Sequence, residues 1–392
     1  MKLAFVNQRY GLEVNGGSEY YTRMLAEHLA KMDGMEIEIL TTTAVDHNTW
    51  KNQYTKEIDS LNGITIRRFP VKHPKNSFRF RIADKMRRMN IKPKSLVEKN
   101  WMIEQGPYTP KLIRYIREHK NDYDIFIFVT YLYYPTVFGL PEVADKAILI
   151  PTAHDEPYLY MDIMKKIFTK VKGICYLTVE EKELVQKNFH NQSIPSEVIG
   201  TGISYTKDDI TDKEKEEFRM RHNIKEEYLI YAGRIDEAKG CGQMFSYFLK
   251  KKEEKSGVKL VLIGQAGMEI PQDESIEYLG FVEEHEKQIA IAGAKALILP
   301  SANESLSIAV LEAMAMGVPV LVNGKCPVLK GHVERSLGGY CYCNYKDFQV
   351  AVDNLWNDSY ITLSKNAEEY VINNYSWSGV IKKFLAMTFI VN

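Results

Sequence analysis

Short apolar runs alternate along this chain with longer amphipathic segments, and this alternation limits the possible folds more than any other feature. The pattern is typical of parallel β-sheets with helices on both faces, so the fold class is α/β. In the first predicted helix, Tyr21, Leu25 and Leu29 recur at helical spacing before Gly34. Strands are predicted at 3–7, 37–41, 64–69, 124–129, 147–151, 173–178, 228–232, 258–264, 278–280, 295–299 and 318–323.

The alternation is interrupted near residues 200–203. A strand-like Val198–Ile199 ends there among glycines, and a charged run over 207–217 precedes the next strands. A length of 392 residues suits two domains. We predict two Rossmann-like domains with parallel sheets, over residues 1–203 and 204–372, that face each other across a cleft.

Residues 300–319 place two carboxylates around a predicted helix start. Glu304 follows the strand at 295–299, on the side where open parallel sheets bind ligands. Glu312 lies about two turns further along a helix predicted at 305–317. The free N–H groups that would attract an anion at the start of this helix are those of Ser305, Leu306 and Ser307. The segment predicts a site for hydroxyls and a phosphate, and the alternative is two solvated helix glutamates.

A second motif follows the strand at 228–232. Gly233 allows close approach of a ligand, Arg234 offers a fork for phosphate oxygens, and Lys239 adds a point charge. Two fixed cations suit a diphosphate. The alternative is a pair of surface basic residues beside a helix start.

Two further candidates lie in the first half of the chain. Gly16 and Gly17 occupy the loop between the first strand and the first helix, where doubly wound folds place a phosphate-binding turn. The alternative is a connecting loop with a Ser N-cap. His154 follows the strand at 147–151, and the alternative is a partly buried polar residue. His332, predicted in a loop of the second half, is a second candidate histidine.

Together these motifs resemble the retaining family-4 nucleotide-sugar glycosyltransferases of GT-B architecture. The residues that carry the resemblance are Gly16-Gly17 with Glu19, His154, Gly233-Arg234 with Lys239-Gly240, and the Glu304 to Glu312 pair in its Pro-Ser-x-x-Glu…Leu-Glu-Ala-Met-Ala-x-Gly-x-Pro-Val context. The resemblance spans nearly the whole chain. It implies an acceptor-side first domain, a nucleotide-sugar-binding second domain, and a C-terminal helix at about 373–392 that packs back on the first domain.

The resemblance also implies roles for single residues. Arg234 and Lys239 would bind the donor diphosphate, Glu304 the hydroxyls of the transferred sugar, and Glu312 the ribose. His154 would reach the donor sugar, and the Gly16-Gly17 loop would form a wall of the site. Ser305 and Ser307 depart from the family pattern, which usually has proline or glycine at the first position and glycine at the second. Because of this departure, the resemblance does not identify the donor sugar nucleotide.

The implied activity is retaining transfer of a hexose, such as mannose, from a nucleoside diphosphate sugar to a glycan or polyprenyl-linked acceptor in cell-surface polysaccharide biosynthesis. A nucleotide-sugar epimerase or a phosphorylase of GT-B fold would use the same cleft, although we identify no lysine site for a phosphorylase cofactor. A non-catalytic nucleotide-sugar binding subunit would keep Arg234 and lose Glu304, and both are present.

Charge and cysteine content narrow the function classes. The 51 basic and 51 acidic side chains give no global field for nucleic acid. Five cysteines without Cys-x-x-Cys spacing indicate neither a disulfide framework nor a zinc site. The Asp122-Tyr123-Asp124 run opens a strand on the side away from the ligand, so we expect no metal and no cofactor.

The chain opens directly as a strand, and no apolar run approaches the roughly 18 residues of a spanning helix. We expect a cytoplasmic protein.

A basic segment of the first domain could contact a membrane surface. Between Lys72 and Lys94, apolar residues are interleaved with seven cations: Lys75, Arg79, Arg81, Lys85, Arg87, Arg88 and Lys92. This segment suits peripheral contact with an anionic membrane at its inner face. The alternative is a solvated helix that packs its apolar face internally.

Overall fold

The computed structural model of the chain describes residues 1–14, 16–89, 91–254 and 257–391. They form two compact units. The first domain comprises Met1–Thr201 with Val380–Asn392, and the second domain comprises Gly202–Gly379. The predicted boundary at 203/204 lies two residues from the observed one.

Each domain is built on its own sheet. The strands of the first sheet are β1 (Lys2–Val6), β2 (Glu36–Thr42), β3 (Ile58–Leu61), β4 (Ile64–Phe69), β5 (Ile125–Val129), β6 (Ala147–Ile150), β7 (Gly173–Tyr176) and β8 (Ser196–Val198). Those of the second are β9 (Glu227–Ala232), β10 (Val258–Ile263), β11 (Ile276–Gly280), β12 (Ala296–Leu299), β13 (Val320–Asn323) and β14 (Gly339–Tyr342).

Helices connect successive strands. In the first domain they are α1 (Gly17–Ala30), α2 (Ser77–Arg88), α3 (Lys94–Gln105), α4 (Pro110–Glu118), α5 (Tyr134–Gly139), α6 (Lys165–Thr169) and α7 (Val179–Phe189). The others are α8 (Asp212–Arg221), α9 (Cys241–Glu254), α10 (Glu284–Ala292), α11 (Ile308–Ala315), α12 (Pro327–Ser336), α13 (Tyr345–Asn354), α14 (Tyr360–Asn374) and α15 (Trp377–Val391).

The strand order is the doubly wound one in both sheets. The first sheet runs β3-β4-β2-β1-β5-β6-β7-β8 and the second β11-β10-β9-β12-β13-β14. Pairing between the described strands is parallel except where β3 meets β4. In each sheet the winding reverses direction once, between β1 and β5 and between β9 and β12. Loops at the carboxyl ends of the strands beside such a switch point form the usual ligand site of open α/β sheets.

Local sequence explains why the elements form where they do. All five residues of β5 are buried, as expected for a parallel strand covered on both faces. Asn76 caps α2 by accepting the N–H groups of Phe78 and Arg79. Thr211 and Glu214 form a capping box at α8.

The C-terminal helix is divided between the domains. α15 starts at Trp377, and its residues from Val380 onward belong to the first domain. The rings of Phe384 and Phe5 are stacked with centroids 6.5 Å apart. Gly173 in β7 leaves the space that Val391 and Met387 occupy, since a Cβ there would lie 2.8 Å and 3.0 Å from them.

Candidate active site

The turn after β9 holds the two predicted diphosphate-binding cations. Asp236 shapes this turn, since its Oδ1 accepts the N–H of Lys239 at 2.9 Å and its Oδ2 forms an ion pair with Nε of Arg234. The Tyr231 hydroxyl donates to the carbonyl of Arg234 at 2.7 Å. The side chain of Arg234 is 46% exposed, so an anion from solvent can reach it.

A glycine brings this turn against the loop that follows β12. Gly240 has φ +78°, and a Cβ on it would lie 2.8 Å from the Pro300 carbonyl oxygen. The two backbones can therefore approach as closely as they do only with glycine at this position. As a result Nζ of Lys239 lies 2.7 Å from Oε1 of Glu304, although the two residues are 65 positions apart. The Lys239 side chain is 30% exposed and that of Glu304 is 14% exposed.

Residues 300–307, which connect β12 to α11 and are called the Glu304 loop, are not the start of a helix. The backbone of this loop stays irregular through Ser307, whose φ of +67° is left-handed, and α11 begins at Ile308. The predicted helix start at Ser305 is therefore wrong by three residues. The first-turn N–H groups of α11 belong to residues 308–310 rather than to Ser305, Leu306 and Ser307. The loop is held by Asn323, which donates to the Pro300 carbonyl at 2.9 Å, and by the Ser301 hydroxyl, which donates to the Asn303 carbonyl at 3.0 Å.

Glu312 lies inside the second domain. Its side chain is 7% exposed, and its Oε1 lies 3.0 Å from Nζ of Lys287 in α10. Lys287 also pairs with Glu284 at 2.8 Å. Burial alone would lower the pKa of Lys287, but these two carboxylates outweigh it and raise the pKa, so the ammonium stays charged. The two-turn spacing predicted between Glu304 and Glu312 does not apply, because Glu304 lies outside the helix.

The Gly16-Gly17 loop follows β1 in the first domain. Gly16 is the N-cap of α1 and makes no side-chain capping bond, so the alternative of a Ser N-cap is wrong. A Cβ on Gly16 would overlap the Glu19 carboxylate, whereas one on Gly17 would meet nothing within 4 Å. Glu19 is buried and forms an ion pair with Arg9, with 2.5 Å between Nη2 and Oε1. Gly16 therefore makes room for a buried ion pair.

His154 lies past the end of β6. Its side chain is 32% exposed, and its Nε2 is 3.6 Å from Oε1 of Glu156. The loop before it is held by Glu181 of α7, which accepts the N–H of Ala153 at 2.5 Å and that of Leu177 at 2.6 Å. Burial raises the pKa of Glu181 to about 8, against the opposite effect of these backbone hydrogen bonds.

Known proteins resemble this chain in sequence and in fold. Residues 212–374 match the family model described as glycosyl transferases group 1. This segment is therefore similar to group 1 glycosyl transferases. It contains the Arg234 turn, the Glu304 loop and Glu312.

Over its whole length the chain is similar to proteins described as glycosyltransferases. It is 25% identical to an uncharacterized glycosyltransferase of Methanocaldococcus jannaschii, over 98% of this chain and 96% of that protein. Its structure is similar to WaaG, a glycosyltransferase involved in lipopolysaccharide biosynthesis, with a TM-score of 0.70, 14% identity and 99% of each chain covered. It is also similar to HepE of Anabaena in complex with UDP and glucose, with a TM-score of 0.68, 12% identity and 98% of each chain covered. The chain has the GT-B fold, which confirms the predicted fold class.

In the second domain, the structure corrects the prediction for His332. This residue lies within α12 rather than in a loop, and its side chain is 0% exposed. It therefore cannot contact a ligand in this conformation.

Two further statements hold for the residues that the structure describes. Among them, no group of three or more His, Cys, Asp or Glu side chains could hold a metal ion. Asp124 lies at the amino end of β5, where its Oδ2 accepts the Lys2 N–H at 2.6 Å, and Asp122 contacts His119. No helix in this part of the chain is both long and apolar enough to cross a membrane.

The structure thus gathers part of the predicted site. Gly233, Arg234, Lys239 and the Glu304 loop meet at the switch point beside β9 and β12, while Glu312 is turned to Lys287. The sequence did not identify Lys287 as the partner of Glu312, because no motif surrounds it. Arg9 was missed too, although its position directly after β1 is the signal that could have found it.

Proposed function

We propose that the protein is a retaining glycosyltransferase that moves a hexose, such as mannose, from a nucleoside diphosphate sugar to a glycan or polyprenyl-linked acceptor in cell-surface polysaccharide biosynthesis. The observation that carries this proposal is the ion pair of Lys239 and Glu304 beside Arg234, at the switch point of a domain similar to group 1 glycosyl transferases. Two cations and one carboxylate at this place suit a diphosphate joined to a sugar.

In this proposal, the ion pair between Lys239 and Glu304 is exchanged for contacts with the donor when the donor binds. In the structure Lys239 neutralises Glu304. A diphosphate with two negative charges competes with Glu304 for the ammonium and draws on Arg234 as well. Once Lys239 turns to the diphosphate, Glu304 can accept hydrogen bonds from sugar hydroxyls. In this proposal one ion pair holds both groups ready for the two halves of the donor.

For the transfer step we propose front-face displacement. The acceptor oxygen would attack the anomeric carbon on the face from which the diphosphate leaves, and the leaving phosphate would take the acceptor proton. Charge builds up on the diphosphate, where Arg234 and Lys239 would stabilise it. His154 would contact the donor sugar, and the Gly16-Gly17 loop would line the site. Glu312, which is paired with Lys287 and 7% exposed, would bind the ribose through the part of its carboxylate that stays accessible. We propose that no metal or other cofactor takes part.

Donor binding tests this proposal first. Calorimetry with UDP-, GDP-, dTDP- and ADP-sugars should find one donor that binds wild type and binds Arg234→Ala at least tenfold more weakly. UDP-sugars come first, because HepE is known in complex with UDP. Arg221→Ala is the matched control, since Arg221 is a 61% exposed arginine of the same domain. If no donor binds wild type, or if both variants weaken binding equally, the proposed donor site is wrong. Product analysis with an acceptor then separates transfer from epimerisation.

The metal proposal has a separate test. Turnover should be unchanged in excess chelator, because Arg234 and Lys239 supply the positive charge that a metal would otherwise provide. Loss of turnover that magnesium or manganese restores would contradict it.

We further propose that the segment Lys72 to Lys94 brings the enzyme to an anionic membrane at its cytoplasmic face, where a polyprenyl-linked acceptor would be found. α2 has two faces. Phe80 packs against Trp101, with ring centroids 5.7 Å apart, whereas Phe78 and Ile82 are 64% and 45% exposed. Arg81 and Lys85 are exposed beside them. Asn90, within this segment, lies outside the described residues.

Vesicle flotation tests the membrane proposal. Wild type should float with anionic vesicles at low salt and not with neutral ones, because each cation near the surface contributes about 1 kcal/mol. Phe78→Ser with Ile82→Ser should abolish flotation. Ile361→Ser is the control, since Ile361 is a 78% exposed apolar residue of the second domain. Equal flotation of the double variant and the control would exclude α2 as the contact.

A further inference from the structure

A fully buried histidine is bound to the middle of the Glu304 loop. His332 lies in α12, and its Nε2 is 2.8 Å from the carbonyl oxygen of Leu306. Its Nδ1 is 3.1 Å from the hydroxyl of Tyr370 in α14. Both ring nitrogens thus lie within hydrogen-bond distance of a partner, as a buried imidazole requires.

The chemistry of the two partners decides which ring nitrogen donates to the loop. A carbonyl oxygen can only accept, so Nε2 is the donor to Leu306. Nδ1 then accepts from the Tyr370 hydroxyl. The oxygen of Tyr370 in turn lies 3.3 Å from Nε of Arg335 and 3.1 Å from the Tyr375 hydroxyl. The histidine is therefore oriented by a buried polar network rather than by packing alone.

The hydrogen bond from His332 is made to the buried residue of the loop, Leu306. Leu306 is 3% exposed, while its neighbours Glu304, Ser305 and Ser307 are partly exposed. Ser307 is also the residue with the left-handed backbone that precedes α11. A buried carbonyl in irregular backbone needs a hydrogen-bond partner from outside the loop, and His332 supplies it. The His332 contact fixes the buried residue between the partly exposed ones.

We propose that His332 is a positioning residue, which holds the Glu304–Ser307 loop in the conformation that binds donor through its hydrogen bond to the Leu306 carbonyl. It does not touch the donor itself. This inference rests on the proposed function for the meaning of the loop, whereas the tether itself is a property of the ligand-free protein.

Amide hydrogen exchange of the ligand-free protein tests the tether directly. In His332→Leu, peptides covering residues 303–310 should exchange about tenfold faster than in wild type, because the loop loses its buried anchor. In His332→Gln they should stay within about threefold, because the Gln side-chain amide can still donate to the Leu306 carbonyl. Unchanged exchange in His332→Leu would overturn the proposal.

A control separates the tether from general loosening of α12. Ser336 is a buried polar residue of the same helix, and its hydroxyl contacts Val333 and Gly338 rather than the loop. Ser336→Ala should leave exchange at 303–310 unchanged. If Ser336→Ala speeds exchange there as much as His332→Leu does, the effect belongs to the helix and the proposal fails.

Calorimetry with UDP, GDP, dTDP and ADP distinguishes this inference from the proposed function. The nucleoside diphosphate that binds wild type should bind His332→Leu about tenfold more weakly and His332→Gln nearly normally. If none of the four binds wild type, the proposed donor site fails while the exchange result still decides the tether. Normal binding by His332→Leu, together with a loosened loop, would overturn the positioning role.

Discussion

The sheets of both domains reverse their winding once, and each domain has an ion pair beside that switch point, yet the two pairs differ in exposure. Arg9 and Glu19 in the first domain are 8% and 5% exposed, whereas Lys239 and Glu304 in the second are 30% and 14% exposed. A buried pair loses much free energy when one partner leaves, and a partly hydrated pair loses little. The comparison therefore separates an ion pair that maintains structure from one that can be exchanged for a charged ligand.

The largest effect on stability is expected for another buried carboxylate of the first domain. Burial raises the pKa of Glu181 from about 4.5 to about 8. Below the lower value both the folded and the unfolded protein keep this proton. As the pH rises, the unfolded protein releases it first, so this group's contribution to stability falls by about 1.4 kcal/mol per pH unit up to about pH 8.

Glu181→Gln lacks that titration. Urea denaturation from pH 5 to pH 8 measures the free energy of unfolding of both proteins. As the pH rises, the value for wild type should fall steadily relative to the value for Glu181→Gln. A difference that stays constant over this range would contradict the raised pKa.

The next effect concerns the buried ion pair. Arg9→Met leaves the Glu19 carboxylate buried without its guanidinium, so the free energy of unfolding should fall by about 3–5 kcal/mol. Lys239→Met should lower it by about 1 kcal/mol or less, because Glu304 can be hydrated. Urea denaturation of both variants measures the contrast. Equal losses would remove the distinction between the two ion pairs.

The same lysine should matter more for catalysis than for stability. Lys239→Met removes a cation from the proposed diphosphate site, and kcat/KM should fall by the equivalent of about 2–4 kcal/mol of barrier. Lys213→Met is the control, because Lys213 is 82% exposed in the same domain. Steady-state kinetics that give Lys239→Met the activity of this control would contradict the assignment.

The smallest effect compares adjacent glycines. Gly16→Ala places a methyl group against the Glu19 carboxylate and should cost about 1–3 kcal/mol of stability. Gly17→Ala meets no neighbour within 4 Å and should stabilise α1 by up to about 1 kcal/mol. Thermal denaturation of the two variants should therefore show shifts of opposite sign. Shifts of the same sign would indicate that the glycines serve the loop in another way.

The sequence predicted the strands well wherever an apolar run was bounded by turn residues. β4 has the predicted bounds, and β9 differs by one residue at its start. β3 was missed because it is an antiparallel edge strand of alternating exposed and half-buried residues, and β14 because Gly339–Tyr342 contains no aliphatic run.

The sequence predicted which motifs belong to the candidate site, but it did not predict which of their residues contact one another. That the turn after β9 meets the loop after β12 follows from strand order, which no local pattern contains. The left-handed backbone at Ser307 and the pairing of Glu312 with Lys287 depend on contacts between distant segments. His332 was misassigned because Pro327, which occupies the first position of α12, was not recognised as the start of a helix.

The central claim is that donor binding exchanges the partner of Lys239, and calorimetric titration with UDP, GDP, dTDP and ADP tests it on both members of the pair. With the diphosphate that binds wild type, Lys239→Ala should bind about tenfold more weakly, because a phosphate contact is lost. Glu304→Gln should bind that diphosphate more tightly than wild type, because its carboxylate no longer competes for the ammonium. Opposite shifts in Kd are the predicted result. Shifts in the same direction, or no shift in either variant, would contradict the account.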